Sequence, residues 1–379
     1  MDDEKEKNKI LILHAVVDAD GGIGTVIANL IKYQVAKGYK VGIIYTTYYS
    51  NIFDELKDIG VQWYPIDKNK LIGGHMIWGM KLNSVYKLAK TQYPDKQIII
   101  HAHNTASIGI LCNVKSINLV CTIHGISRNG ISSLRGNISN IAYKLILKKL
   151  AKHKKKICGV SENTCRYYQN YIPNYEIISV KNGIRLKEKQ NSEKMKERNK
   201  FVIGHVGDIS YSKGWDTTFN AYKDLEMEYQ EKMVFNFAGK LVDIDEQEIE
   251  SLIKSNGLAG KVKYLGKVKD AANTVIPTLD VLVLASISEG MPMVILECMA
   301  QGVPVITTDV GGIGEVIKHG NNGFLVKKES EEIKKYIKEL YNNRELYNKM
   351  RDNAIKSYRE SFTIDHMGES YEKIYKGIK

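Results

Sequence analysis

The segment Ser288-Glu289-Gly290-Met291-Pro292-Met293-Val294-Ile295-Leu296-Glu297 follows the apolar run Val281–Leu284. The run reads as a buried strand. Gly290 then permits a sharp turn, and Pro292 suits the first position of a helix. Glu297 falls about five residues into that helix, roughly 7.5 Å along its axis at about 1.5 Å per residue. One carboxylate, Glu289, thus stands just ahead of the helix start, and the other lies about one and a half turns inside. Between them are the helix's unpaired N–H groups, a seat for phosphate. A carboxylate accepts from two hydroxyls at once, which suits a vicinal diol of a sugar or a ribose. Sugar, diphosphate and ribose fit along one helix end. Glu297 taken alone reads equally as a structural partner; the whole segment is what points to chemistry.

On either side of this segment, short apolar runs alternate with longer mixed stretches. In the second half, strands are expected at Phe201–Val206, Val234–Phe237, Val262–Leu265, Val281–Leu284 and Val303–Thr307, with helices at Trp215–Lys223 and Pro292–Ala300. In the first half, Ile10–Val17, Val41–Thr46, Ile98–His101, Leu119–Ile123 and Ile157–Val160 read as strands, and Thr25–Lys37 as a helix ended by Gly38. Strands separated by helical segments indicate βαβ units and parallel sheets. The expected fold is α/β, with two doubly wound Rossmann-like domains facing a central cleft. The boundaries are 1–185 and 201–365, joined by the polar linker LKEKQNSEKMKERNK at 186–200, and a last helix, about 366–379, packs back on the first domain. Ligands of such sheets sit beyond the carboxyl ends of the strands.

Two further turns lie in that position. Asp20-Gly21-Gly22-Ile23-Gly24-Thr25 joins the first strand to the first helix, where glycines let the backbone approach a ligand and the helix start faces an anion. It fits a dinucleotide fingerprint poorly, because Ile27 stands where the third glycine belongs and Thr46-Thr47 where an acid should close the second strand. Phosphate contact and a plain tight turn both remain open for Gly21 and Gly22. The second turn is Gly207-Asp208-Ile209-Ser210-Tyr211-Ser212-Lys213-Gly214-Trp215, where Lys213, just before a helix, suits phosphate oxygens or is a surface lysine. Asp18-Ala19-Asp20 has the spacing of a metal–diphosphate pair. Asp243-Ile244-Asp245 repeats it, so the spacing says little, and no metal site is expected.

Composition narrows the class. The 379 residues are 43% hydrophobic and 26% charged, ordinary for a globular chain. Five cysteines without a C-x-x-C pair argue against a disulfide framework or a zinc site. No apolar run reaches the roughly 18 residues of a membrane span, and the acidic start MDDEKEKNKI does not resemble a signal peptide, so a cytoplasmic chain is expected. The net charge of +12 is uneven: residues 1–185 carry 26 basic against 13 acidic side chains, or +13, and the remainder 29 against 30, or −1. Residues 96–161 hold eleven basic residues and no acid. The densest part contains Lys144, Lys148, Lys149, Lys152, Lys154, Lys155 and Lys156, with Ile138, Ile141, Leu145, Leu147 and Leu150 forming an imperfect apolar face. Such a helix suits an anionic membrane surface or is a solvated face; few aromatics interleave, so no nucleic acid is expected.

With these motifs in place the chain resembles the family 4 glycosyltransferases of the GT-B fold. The resemblance spans about Lys9 to Val326 and is most specific at Gly207–Gly214, at Glu289–Glu297 with its continuation CMAQGVPVITTDVGGIGEVI, and at Asn322-Gly323-Phe324-Leu325-Val326. Thr122-Ile123-His124-Gly125, Val160-Ser161-Glu162 and Lys181-Asn182-Gly183-Ile184 match more weakly. The resemblance implies transfer of a hexosyl or N-acetylhexosaminyl unit from a nucleotide-sugar, a UDP-sugar ahead of a GDP-sugar, with retained configuration and neither metal nor separate cofactor. It implies a donor-binding second domain and an acceptor-binding first domain. The acceptor would be a glycan or a lipid-linked one in cell-surface polysaccharide synthesis, with the protein peripheral at the inner face of the membrane. Glu289 would contact the donor sugar, Glu297 the ribose, and Lys213 the departing diphosphate. Gly290, Met291, Pro292 and Met293 would line the donor, Lys267 and Val268 the base, and the Gly21–Gly22 turn the phosphates. His124 would lie beside the reacting sugar, or else is a structural strand-end histidine; His101 and His103 read as structural ahead of lining the acceptor cleft. Asp208 is a departure, since the family usually carries Arg there. An epimerase or phosphorylase of the same fold, or a catalytically weak partner subunit, are the alternatives.

Overall fold

The computed structural model describes residues 7–17, 21–46, 51–66, 75–109, 111–126, 134–185 and 200–378. Asp18-Ala19-Asp20, and the linker apart from Lys200, lie outside the described residues. Contacts divide the chain into two units, Met1–Gly183 with Ile364–Lys379, and Ile184–Thr363.

The first unit is built on a parallel sheet of seven strands: β1 (Ile10–Val16), β2 (Lys40–Thr46), β3 (Gln62–Ile66), β4 (Gln97–His103), β5 (Asn118–Ile123), β6 (Lys156–Gly159) and β7 (Ile178–Ser179). Their spatial order is β3-β2-β1-β4-β5-β6-β7. The helices are α1 (Gly22–Ala36), α2 (His75–Gln92), α3 (Leu134–Lys152) and α4 (Glu162–Gln169), single turns aside. Every residue of β1 is buried, because helices cover both faces of a parallel sheet. One face sends Leu11, Leu13, Ile98 and Ile100 into a core with Trp78 and Leu82 of α2 and with Leu147 and Leu150 of α3. Alternation turns Ile12, His14, Ile99 and His101 the other way, toward α1 and a helix from the far end of the chain.

In the second unit the six strands are β8 (Phe201–Val206), β9 (Met233–Ala238), β10 (Val262–Tyr264), β11 (Val281–Leu284), β12 (Val305–Thr308) and β13 (Phe324–Val326), all parallel, in the order β10-β9-β8-β11-β12-β13. Helices α5 (Trp215–Lys223), α6 (Glu246–Ser255), α7 (Met293–Gln301), α8 (Ser330–Asn342) and α9 (Arg344–Ser361) flank it. Phe235, Phe237, Trp215 and Tyr222 form the aromatic part of its core. The last helix, α10 (Ile364–Lys376), belongs to the first unit and packs on α1. Gly368 makes this close approach possible: a Cβ there would lie 2.3 Å from ring carbons of Tyr33.

In each sheet the strand order reverses at one point, between β1 and β4 in the first and between β8 and β11 in the second. The loops that leave the carboxyl ends of those strands are where a doubly wound sheet binds its ligand. The Gly21 turn follows β1, the Gly207–Gly214 turn follows β8, and the Glu289 segment follows β11. No helix among the described residues is long and apolar enough to cross a membrane.

Candidate active site

The loop after β11 is held from below. Thr307 Oγ1 donates to the Leu284 carbonyl at 2.8 Å and Thr308 Oγ1 to that of Ser286 at 2.6 Å. Gly311 fixes the other side: its φ is +60° and a Cβ would meet the Glu289 carbonyl oxygen at 1.6 Å, so only glycine lets the two loops touch. Gly312 N–H then donates to the Gly290 carbonyl at 2.9 Å. Pro292, expected as the first helical residue, is the N-cap, with φ −70° and ψ 125°, and α7 starts one residue later at Met293. Gly290 is partly buried, and Met291, Pro292 and Met293 are buried.

Glu289 and Lys213 come together across 76 residues of sequence. Lys213 Nζ donates to Glu289 Oε1 at 2.6 Å, and Ser286 Oγ donates to the same oxygen at 2.8 Å. The Glu289 side chain is 8% exposed and that of Lys213 30%. The two turns are also tied through the backbone, Ile287 N–H donating to the Ser212 carbonyl at 2.8 Å. Neither this contact nor Ser286 has a signal in the sequence spacing. Glu297 is the fifth residue of α7. Burial, with the charge of Asp270 adding, pushes its carboxyl up to about 7.

Asp208 is exposed. Strand pairing Val206 with Ala238, and the bridge of Ile209 with Leu241, set Lys240 in register with Asp208 on the neighbouring strand end. Lys240 escaped the sequence reading, since only the register brings it beside the Gly207 turn. The acids of Asp243-Ile244-Asp245 have structural duties: Asp243 accepts from Tyr211 N–H at 2.8 Å, and Asp245 caps α6 in a capping box with Glu248. Lys267 is exposed and Val268 partly buried, in the loop that follows β10.

In the first unit Gly21 is the N-cap of α1 with φ +66°, and Gly22 opens the helix; both are exposed. Gly21 has no side chain with which to cap this helix start. His124 follows β5. Its backbone N–H donates to Asn104 Oδ1 at 3.0 Å, and its Nε2 lies 2.9 Å from Nδ1 of His103. His14, His101 and His103 are buried with ring nitrogens within 4.8 Å of one another, a grouping that resembles a metal site. Each ring nitrogen of the three is already within 2.9 Å of a hydrogen-bonding partner, so the arrangement fits a polar network better than a ligand set.

On α3 the residues Ile141, Lys144, Leu145, Lys148 and Lys152 are exposed along one face, Ile141 at 61% and Leu145 at 57%, while Ile146, Leu147 and Leu150 are buried. The two large apolar side chains thus stand among lysines and not in the core. Lys154 is exposed and Lys156 partly buried. Lys149 and Lys155 turn inward, donating to the Cys112 carbonyl at 2.7 Å and the Ile117 carbonyl at 2.6 Å.

Two parallel Rossmann-like sheets, with a carboxylate pair bracketing a helix start at the switch point of the second, define the class: the GT-B fold of nucleotide-dependent group transfer. Comparison with known proteins agrees. Residues 20–188 match the model described as Glycosyltransferase Family 4, and residues 187–357 the model described as Glycosyl transferases group 1. An uncharacterized glycosyltransferase of Methanocaldococcus jannaschii is 28% identical over 366 residues, 94% of this chain and 95% of that one. The N-acetyl-alpha-D-glucosaminyl L-malate synthase of Bacillus anthracis is 35% identical over 128 residues, 34% of this chain and 33% of that one. Among solved structures, Anabaena HepE in complex with UDP and glucose superposes with a TM-score of 0.76 at 18% identity, covering 98% of this chain and all 100% of that one. WaaG, a glycosyltransferase involved in lipopolysaccharide biosynthesis, gives 0.70 at 14% identity, covering 97% and 100%. The chain belongs to the family 4 glycosyltransferases, enzymes that use nucleotide-sugars.

Proposed function

We propose that the protein is a retaining, metal-independent transferase that moves a hexosyl or N-acetylhexosaminyl unit from a UDP-sugar to a glycan or lipid-linked acceptor of the cell surface. The observation that carries this reading is the Lys213–Glu289 contact at the start of α7, with Glu297 one and a half turns on. Glu297 accepts from the ribose hydroxyls and Glu289 from the sugar. As the bond between the anomeric carbon and the phosphate oxygen breaks, the charge left on the nucleoside diphosphate meets Lys213 and the free N–H groups of α7. Lys240 is the second cation, offsetting Asp208 from the adjacent strand end. His124 serves the sugar, and the Gly21–Gly22 turn the phosphates. The preference for uridine is supported by HepE, which is described with UDP and glucose, and N-acetylhexosamine by the malate synthase.

The exposed face of α3 supports a place at the inner face of an anionic membrane. Each lysine near such a surface contributes on the order of 1 kcal/mol, and Ile141 and Leu145 add apolar area at the same place. Asp208 favours one second reading, a weak partner subunit that binds donor without turning it over. The deciding experiment measures nucleoside diphosphate release from UDP-, GDP- and ADP-sugars, with and without EDTA, by wild type and Glu297→Ala. Release from one UDP-sugar, insensitive to EDTA and lost in the variant, is expected. Binding of donor without release under any acceptor would favour the partner subunit, and no binding at all would remove the proposal.

A further inference from the structure

Four histidines of the first unit form one hydrogen-bonded file. Nδ1 of His14 is 2.9 Å from Nε2 of His103, and Nδ1 of His103 is 2.9 Å from Nε2 of His124. At the inner end His14 Nε2 lies 2.8 Å from Oε1 of Gln34 on α1, and Gln34 Nε2 donates to the Tyr375 hydroxyl of α10 at 3.0 Å. That hydroxyl is 2.7 Å from Nδ1 of His101, whose Nε2 is 2.8 Å from Thr122 Oγ1, itself 2.9 Å from the Tyr371 hydroxyl.

A neutral imidazole has one N–H and one bare nitrogen, so the direction of one bond in such a file sets the direction of the rest. The amide of Gln34 supplies it, assigned with its oxygen toward His14 and its nitrogen toward Tyr375. Its oxygen only accepts, so the proton of His14 is on Nε2 and its Nδ1 is bare. His103 must then donate from Nε2 and accept at Nδ1, and His124 must donate from Nε2. On the other branch Gln34 Nε2 donates to Tyr375, which passes its own O–H to His101 Nδ1. Burial lowers His14 and His124 to about 4 and holds His101 and His103 well below the usual histidine range, so the file is uncharged at neutral pH. Nδ1 of His124 has no hydrogen-bond partner among the described residues, and His124 is the least buried of the four.

We propose that Gln34, His14 and His103 are positioning residues that lock His124 as the Nε2–H tautomer, so that its bare Nδ1 accepts from a hydroxyl and rejects a phosphate oxygen. A sugar or acceptor hydroxyl has a proton to give to that lone pair. A diphosphate oxygen at neutral pH has none, and would meet lone pair with lone pair. Had the amide of Gln34 been turned over, every bond would reverse and His124 would present an N–H, which suits phosphate. The inference rests on the reading that His124 faces the reacting sugar or acceptor.

The test is the tautomer itself. In the full chain labelled with 15N-histidine, long-range proton–nitrogen correlation distinguishes the two ring nitrogens, and the signals lost in His124→Asn assign that residue. A bare Nδ1 and a protonated Nε2 are expected in wild type. Gln34→Met should average the two tautomers of His124 and lower kcat about tenfold, the low end for loss of an orienting partner, with the donor KM within twofold. Gln34→Glu, whose oxygen still accepts from His14, should restore the His124 pattern. A protonated Nδ1 in wild type, or an unchanged His124 pattern in Gln34→Met, overturns the lock. The wild-type spectrum, once assigned, decides even where Gln34→Met fails to fold. If the tautomers are as expected yet His124→Asn and Gln34→Met transfer sugar at the wild-type rate, the lock stands and the placement of His124 at the reacting centre is what fails.

Discussion

Glu297 and Glu289 are both carboxylates at one helix end, yet their surroundings give them different work. Glu297 is raised to about 7 by burial, and only its charged form accepts from two hydroxyls. Donor affinity should therefore fall as pH drops below 7, by about tenfold between pH 8 and pH 6, following the charged fraction. Donor KM across that range checks this, and Glu297→Gln should flatten the profile. The same shift affects the empty protein in the opposite sense. Its folded pKa lies above the unfolded value of 4.5, so the stability it contributes is full below about 4.5 and is lost as pH rises through 7. Glu289, in contrast, already neutralises Lys213. Glu289→Gln should tighten binding of bare UDP by up to about fivefold, the worth of a partly exposed pair, while slowing transfer. Lys213→Ala should lower kcat about 10²- to 10³-fold, as for one lost donor to a leaving charge. Calorimetry with UDP and steady-state kinetics separate the two effects. Lys240→Ala should raise donor KM if this lysine is the second cation.

Among the elements, α3 and the loop after β11 carry the sharpest tests. The outward face of α3 mixes Ile141 and Leu145 with Lys144, Lys148 and Lys152. Ile141→Asp with Leu145→Asp should abolish sedimentation with anionic vesicles and leave thermal stability within about 0.5 kcal/mol per site, as for surface positions. Vesicle binding unchanged by the double substitution would remove the membrane from the proposal. Gly311→Ala should be costly for two reasons: a non-glycine residue at positive φ loses roughly 1–2 kcal/mol, and the new Cβ would meet the Glu289 carbonyl. The expected result is a lower melting temperature together with weakened donor binding, because the loop that holds Glu289 must move.

For the molecule as a whole, the first unit is completed only by the end of the chain. Helix α10 brings Gly368 against Tyr33 and places the Tyr371 and Tyr375 hydroxyls on Thr122 and His101. Ending the chain after Thr363 should strip the first unit of a cooperative unfolding transition while UDP binding by the second survives, a result that calorimetric scans with and without UDP would show. The α/β class and the two parallel sheets were legible because strands buried on both faces are largely apolar, as β1, β5 and β11 are. The edge strand β3 was not, since Gln62 and Pro65 break the apolar run, and at an edge that is tolerated. Likewise β7, two residues long, is too short to leave a pattern.

By itself the sequence determined what local rules control. The alternation of strand and helix, the turn at Gly290, the helix that follows Pro292 and the spacing of Glu289 from Glu297 all depend on residues a few positions apart. Only the tertiary structure decided which distant groups meet. Lys213 reaches Glu289 across 76 residues, His14 reaches His103 across 89, and Tyr375 reaches His101 across 274. Contacts of that separation depend on strand order and helix packing, which no local periodicity encodes. They turned one lysine from a free cation into half of an ion pair, and joined His14, His101 and His103 to His124 in one hydrogen-bonded network.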